Sequence, residues 1–365
     1  MENKLNRYRT HMIISVYILL VIGLYMVRES SLIWADYLYG DENYYFKRQL
    51  IYALIGIVVF FLSQKIKLEF LRKKSLFLLI GSLFLLVIVI IPGVGISKNG
   101  STSWLGFSFL SFQPSEFFKI SLIIFMSNYL SKNYKESSKI STLLPLSLVI
   151  ICGILLIMFQ PDFGTCMVLS ISIFTMCYLS RLNQKWFIVF ILTGIILISV
   201  LIFSESYRFK RITAFIDPFQ DPLGSGFQII QSLYALGPGG LIGKVESIQK
   251  HFYLPEPQTD FIFAIFIEEF GLLGGIILIL IYFYIFYCSY MILKESQNLF
   301  KSYLSIGLIT LFMVQVIINL GVVIALFPVT GITLPLVSYG GSSLLVVLFS
   351  LGLIVNTNYE KDLIG

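Results

Sequence analysis

Long apolar runs alternate with short polar turns along almost the whole chain. A helix needs roughly 20 residues to cross a hydrocarbon core of about 30 Å. Runs of about that length lie near 11–27, 50–64, 75–92, 115–131, 143–160, 164–180, 186–204, 261–293, 302–327 and 338–357. The pattern predicts an all-α membrane protein, a polytopic bundle of about ten transmembrane helices in one domain spanning 1–365. The eighth run is long enough to tilt or to extend past the membrane. The fifth and sixth are parted only by the turn Gln160, Pro161, Asp162 and Phe163. One sizeable polar segment, roughly 205–259, forms a large outer loop between spans seven and eight.

Basic residues orient the bundle, because cytoplasmic loops carry the excess of Lys and Arg. With the N-terminus inside, sixteen basic residues fall in inner segments. Four, Arg28, Lys47, Arg48 and Lys98, fall in short outer loops. The bias predicts an even number of spans, both termini cytoplasmic, and a multi-pass plasma-membrane protein with its polar motifs on the outer face. The first run follows Lys4, Arg7 and Arg9, as in a signal peptide. Arg28, Glu29 and Ser30 follow it instead of a small-residue cleavage site, so the run is expected to be retained.

Composition excludes the soluble classes. Of 365 residues, 57% are hydrophobic and 13% charged, and the mean hydropathy is +0.87. Cys152, Cys166, Cys177 and Cys288 all lie in apolar runs and show neither metal nor disulfide spacing. The two histidines, His11 and His251, are far apart, which argues against a His-based metal site or a Ser-His-Asp triad. The net charge of +6 sits mostly in loops beside the membrane and does not point to nucleic acid.

Candidate chemistry collects at the predicted outer ends of the spans. Asp260 stands on the seam between the polar loop and the eighth run. Partial desolvation there raises a carboxylate's proton affinity. A plain acid at a helix N-terminus is the competing reading. Glu268 and Glu269 follow within the apolar run, and ionisable groups at membrane depth are functional candidates by default; a structural role inside the bundle is the alternative. Pro114 suits a first helical position, with Glu116 and Lys119 one turn apart just after it. That pair either fixes the helix end or presents Lys119 to an anion. Trp34, Tyr37, Tyr39, Tyr44 and Tyr45 in the first outer loop read as an interfacial aromatic belt. The glycines of the long loop suit tight turns. The prolines and glycines from Pro328 to Ser343 predict a broken, re-entrant entry to the last span.

Several stretches together resemble the SEDS family (shape, elongation, division and sporulation). They are Trp104-Leu105; Phe112-Gln113-Pro114-Ser115-Glu116 with Lys119; Gln160 to Thr165; Leu254 to Ala264 with Glu268 and Glu269; and Gly331 to Ser343. The resemblance covers nearly the whole chain and is closer to the FtsW and SpoVE branch than to RodA. It implies a peptidoglycan glycosyltransferase that polymerises lipid II into nascent glycan. The expected partners are a class B penicillin-binding protein and other divisome, elongasome or sporulation proteins. Residue by residue, it implies that Asp260 is the catalytic acid. It implies that Trp104, Gln113, Ser115, Glu116, Lys119, Asp162, Arg211, Gln231, Ser232, Pro255, Thr259, Ser338, Gly340, Gly341, Ser342 and Ser343 contact substrate. Two departures from the family pattern stand out. Ser103 replaces a basic residue before Trp104, and the segment Lys244–Lys250 looks shortened and poor in glycine.

The implied reaction needs one base and cationic help. A sugar hydroxyl attacks poorly until a carboxylate takes its proton. A pyrophosphate leaving group needs positive charge rather than a second acid. Asp260, with Lys119 and Arg211, fits that kit. A divalent cation (Mg or Mn) held by Asp162 or Glu116 would share the phosphate role, though no motif demands one. A lipid II flippase and a non-catalytic scaffold of wall synthesis are the alternative readings.

Overall fold

The computed structural model describes residues 2–98, 101–107, 110–135, 139–180, 206–243, 254–296 and 298–357, with isolated positions between 185 and 194. Helix α1 runs Glu2–Tyr39, α2 Tyr44–Ser63 and α3 Leu68–Ile90. A small antiparallel sheet follows, with β1 Ile96–Lys98, β2 Ser101–Phe107 and β3 Leu110–Phe112 in that order. Then come α4 Pro114–Lys132, α5 Ile140–Met158, α6 Phe163–Leu179, α7 Ser206–Ile216, α8 Phe227–Leu236, α9 Ile262–Lys294, α10 Leu299–Val323 and α11 Gly341–Asn356.

The result is an all-α membrane bundle in its spanning part. Helices α1, α2, α3, α5, α9 and α10 are long and apolar enough to cross a bilayer. Hydrocarbon offers backbone amides no partner, so each apolar run closes its own hydrogen bonds as a helix. The predicted seventh span, 186–204, lies largely outside the described residues, as does the Lys244–Lys250 segment.

Four features differ from the sequence expectation. First, the stretch before α4 forms short strands where none was named from the sequence: Ile96 pairs with Trp104, and Leu105 with Phe112. Second, α1 continues to Tyr39, so most of the first outer loop is helical and only residues 40–43 turn. Third, the long outer loop contains α7 and α8. Fourth, the long eighth run is broken. Gly271 has φ 68° and ψ −175° inside α9, a conformation that side chains resist. The loop 239–243 packs backbone to backbone against the break. Leu272 N–H donates to the Gly240 carbonyl at 2.9 Å, and Leu273 N–H to Leu241 at 3.1 Å. From Leu272 to Lys294 the helix still measures about 34 Å at 1.5 Å per residue, enough to span alone.

That break relocates the two acids. Residues Phe261–Glu268 are buried on every side, whereas the helix beyond Gly271 exposes Leu272, Leu273, Ile276, Ile277 and Leu280 on one face. Glu268 and Glu269 therefore belong to a protein-packed stretch before the spanning helix, not to its lipid-facing length.

Helix α4 is the inner post. Almost all of Pro114–Leu130 is buried, against α3, α5, α10 and α11. Packed in protein rather than lipid, it tolerates Ser121 and Ser127, whose hydroxyls donate to the Phe117 and Ile123 carbonyls at 3.0 and 2.6 Å. Between α10 and α11 the chain is irregular from 324 to 340, and much of it is buried. This matches the predicted re-entrant entry, although α10 ends and α11 begins slightly inside the predicted limits.

Candidate active site

Asp260 is the last turn residue but one before α9 and half-buried, with its backbone carbonyl held from α10. Asn319 of α10 donates Nδ2–H to the Asp260 carbonyl at 2.8 Å and to the Ile332 carbonyl at 2.7 Å. Next to Ile332, Gly331 adopts φ +74°, and a methyl group there would sit 3.7 Å from Asp260 Oδ2. The carboxyl thus lies over a bare stretch of backbone. Its pKa is pushed up to about 7. Removal from water is the main cause, followed by the negative charge of Glu256. The Arg211 guanidinium pulls the other way, and Asp162 adds a smaller upward push. The rise that sequence position led us to expect is present.

Arg211 reaches this site from α7. Its Nη1 donates to the Val329 carbonyl at 3.0 Å. Lys210 and Arg211 line an open cavity of about 420 Å³, with Ser225 and Gln228 from the outer loop and with Pro255 and Val329. Asp260 is not among the residues lining this cavity, but Arg211, which is, acts on its charge, so the cavity's cations and the carboxyl are linked as an anionic leaving group and a base require.

The residues from Gly331 to Ser343 act as a staple. Ser338 Oγ donates to the Thr259 carbonyl at 2.6 Å, and Tyr339 N–H to the Gln258 carbonyl at 2.8 Å. Gln49, buried on α2, grips the same stretch with both ends of its amide. Its Nε2 donates to the Ser338 carbonyl at 3.1 Å, and its Oε1 accepts from Gly340 N–H at 3.2 Å. Ser342 Oγ accepts from Gln113 N–H at 3.1 Å and donates to the Ser111 carbonyl at 3.2 Å. Thr333 Oγ1 donates to Ser343 Oγ at 3.4 Å, and Gly341 opens α11. Of the residues that the family resemblance places on substrate here, the serines and Gly340 bond within the protein, and Ser338 ties the stretch to Thr259, next to Asp260.

Other candidates are also engaged internally. Asp162 caps α6, accepting from Thr165 N–H at 3.0 Å on Oδ1. Its Oδ2 accepts from Gln113 Nε2 at 3.2 Å and Ser115 Oγ at 3.4 Å. Lys119 donates to Glu116 Oε1 at 2.7 Å, and the residues are 1% and 6% exposed. The pair fixes the start of α4, one of the two roles the sequence left open, and Lys119 is not among the residues lining the cavity. Ser232 is buried and donates to the Val323 carbonyl at 2.8 Å, so it ties α8 to the end of α10. Gln231 is half-buried on α8, and Trp104 half-buried on β2. Ser103, where the family resemblance calls for a basic residue, is buried and donates to the Gln160 carbonyl at 3.1 Å.

Asn319, Gln49 and Lys210 were missed in the sequence. Buried amides within apolar spans were the available signal for the first two, because polar groups are expensive there. Among the described residues no three His, Cys, Asp or Glu side chains are grouped to hold a metal. Asp162 and Glu116, the ligands the sequence offered, bond within the protein through Asp162 Oδ1 and Oδ2 and Glu116 Oε1.

A family model described as "Cell cycle protein", for FtsW, RodA and SpoVE, matches residues 9–363. The chain is 43% identical over 350 residues to stage V sporulation protein E of Bacillus subtilis (strain 168), covering 95% of this chain and 96% of that one. It is 35% identical over 363 residues to a probable peptidoglycan glycosyltransferase FtsW of Pasteurella multocida, covering 98% and 91%. Among solved structures, it is similar to a chain from a peptidoglycan synthase complex that coordinates polymerization and crosslinking. There the TM-score is 0.79 at 27% identity, over 96% of this chain and 97% of that one. The rod shape determining protein RodA of Thermus thermophilus shares the fold, with a TM-score of 0.70 at 24% identity over 96% of each chain.

Proposed function

The chain belongs to the FtsW, RodA and SpoVE family of cell cycle proteins, the SEDS family, and we propose that it is a peptidoglycan glycosyltransferase polymerising lipid II at the outer face of the plasma membrane. The observation that carries the mechanism is that Arg211, which lines a cationic cavity with Lys210, acts on the charge of Asp260, whose pKa is pushed up to about 7. A base works best when its pKa lies near the working pH.

In the reaction, the carbon-4 hydroxyl of one lipid II attacks the anomeric carbon of the lipid-linked chain. A new C–O bond forms there, and the bond from that carbon to the pyrophosphate oxygen breaks. The hydroxyl proton passes to Asp260. The leaving undecaprenyl pyrophosphate takes the electron pair, and Arg211 and Lys210 meet its charge. Glu256 keeps Asp260 basic, and Asn319 and the Ser338 staple hold it in place.

Ten spans with both termini inside would put this site at the outer surface, where a lipid-linked sugar is delivered within the bilayer. The bundle core is filled by buried apolar side chains such as Phe118, Ile123, Phe261 and Phe312. That favours an enzyme over a flippase, which needs a polar route through the bundle. A class B penicillin-binding protein is the partner we expect to supply crosslinking.

The test is polymerisation of lipid II by purified protein, with and without such a partner, comparing wild type with Asp260→Asn. Polymer from the wild type alone supports the assignment. Equal polymer from both removes Asp260 from catalysis, and polymer from neither favours the scaffold.

A further inference from the structure

The α1–α2 turn carries three tyrosine rings that the mechanism does not use, and they meet a fourth, Tyr339, from the stretch before α11. Tyr39 and Tyr44 stack with centroids 3.7 Å apart and planes 11° apart. Tyr45 stands edge-on to both, at 5.8 and 5.4 Å. It also meets Tyr339 edge-on at 5.0 Å. The Arg48 guanidinium lies over the Tyr44 ring, 5.4 Å from its centre, and donates to its hydroxyl.

The cluster is joined to the active site. Tyr339 belongs to the staple, and its N–H bonds the Gln258 carbonyl, two residues before Asp260. The charge of Glu256 acts on both Tyr45 and Asp260. The surroundings are those of water, not lipid: an Asp41–Lys47 ion pair at 2.7 Å and an exposed Glu42. Tyr37 offers the contrast. It is 80% exposed, meets Trp34 edge-on, and fits the interfacial belt. Tyr45 instead meets Tyr339, Tyr44 stacks on Tyr39, and Tyr39 keeps 50% of its surface open.

We propose that Tyr39, Tyr44, Tyr45 and Tyr339 form a saccharide-binding platform that holds a sugar unit of the glycan beside the bond reacting at Asp260. The C–H faces of a pyranose ring pack on the electron-rich face of an aromatic ring. Phenol hydroxyls, Arg48 and Glu256 offer donors and acceptors for sugar hydroxyl and N-acetyl groups. Like other binding sites, the platform joins apolar faces to a few placed polar groups. The proposal rests on the glycosyltransferase reading and names where its glycan is held.

The experiment is saturation-transfer NMR on the purified full chain with a soluble oligosaccharide of alternating N-acetylglucosamine and N-acetylmuramic acid, and no lipid II. The wild type transfers saturation to the sugar ring protons. Tyr39→Ala with Tyr44→Ala binds about tenfold more weakly and makes shorter strands from lipid II. Tyr39→Trp, which keeps a stacking face, retains binding, and Tyr37→Ala changes nothing. Unaltered binding in the double variant overturns the proposal. So does an equal loss in Tyr37→Ala, or retention in Tyr39→Leu, which preserves bulk without a ring and guards against misfolding. A wild type that makes no polymer yet binds the sugar through these tyrosines refutes the enzyme while supporting the platform.

Discussion

Asn319 donates from one amide nitrogen to the carbonyls of Asp260 and Ile332, at 2.8 and 2.7 Å. One buried side chain thereby sets the gap between the candidate base and the loop beneath it. Asn319→Asp keeps the shape but turns acceptors toward both carbonyls. Unsatisfied buried groups cost about 1–3 kcal/mol each, so polymerisation should fall by about ten- to a hundredfold. The pH–rate midpoint should move with it, while Asn319→Ala loses rate by a similar factor. Unchanged kinetics in a folded Asn319→Asp protein would show that Asp260 needs no such support.

Polymerisation should rise with pH through about 7, because Asp260 is raised from 3.8 to about 7 and acts as a base only when ionised. Arg211 holds that value down and Glu256 holds it up. Glu256→Gln therefore shifts the midpoint to lower pH, and Arg211→Gln shifts it higher. The stability consequence has the opposite sense. A carboxyl raised in the fold costs nothing below pH 3.8, and stability then falls as pH rises to about 7. Asp260→Asn should melt higher than wild type at pH 8 and equally at pH 3.5. Rate profiles and melting curves on one set of preparations check both signs.

Breaking the Glu116–Lys119 pair should unfold more than it disables. Lys119→Met leaves a buried carboxylate alone, which costs about 3–5 kcal/mol. Glu116→Gln together with Lys119→Met should recover most of the melting temperature and most of the activity. A stable but inactive double variant would show that Lys119 touches substrate.

Gly271→Ala should loosen the outer loop. A methyl group there would meet Gly243 N at 2.4 Å and Ile242 N at 2.5 Å. Strain at the positive φ alone costs about 1–3 kcal/mol. We expect a lower melting temperature and faster proteolysis near residues 239–243. Protection equal to wild type would mean that the loop does not depend on the break in α9.

The membrane class was legible in the apolar runs, because hydrocarbon leaves the backbone few choices. Pro114 at the first position of α4, the Glu116–Lys119 spacing and the irregular 324–340 entry could also be read from local chemistry. The break at Gly271 could not. A glycine in an apolar run looks like any other until the 239–243 loop is seen packed against it. The same holds for Ser338 and Ser342, whose hydroxyls look available in sequence but bond Thr259 and Ser111 in the fold.

What the sequence by itself determined is therefore the medium and the helical runs, and it singled out Asp260 as the candidate base, since each rests on hydropathy or on a contiguous motif. Only the tertiary structure decided what surrounds that acid. Asn319, Arg211 and Gly331 come from three stretches outside the motif that holds Asp260. Their effect on Asp260 depends on distances of a few ångströms, and sequence separation carries no record of them.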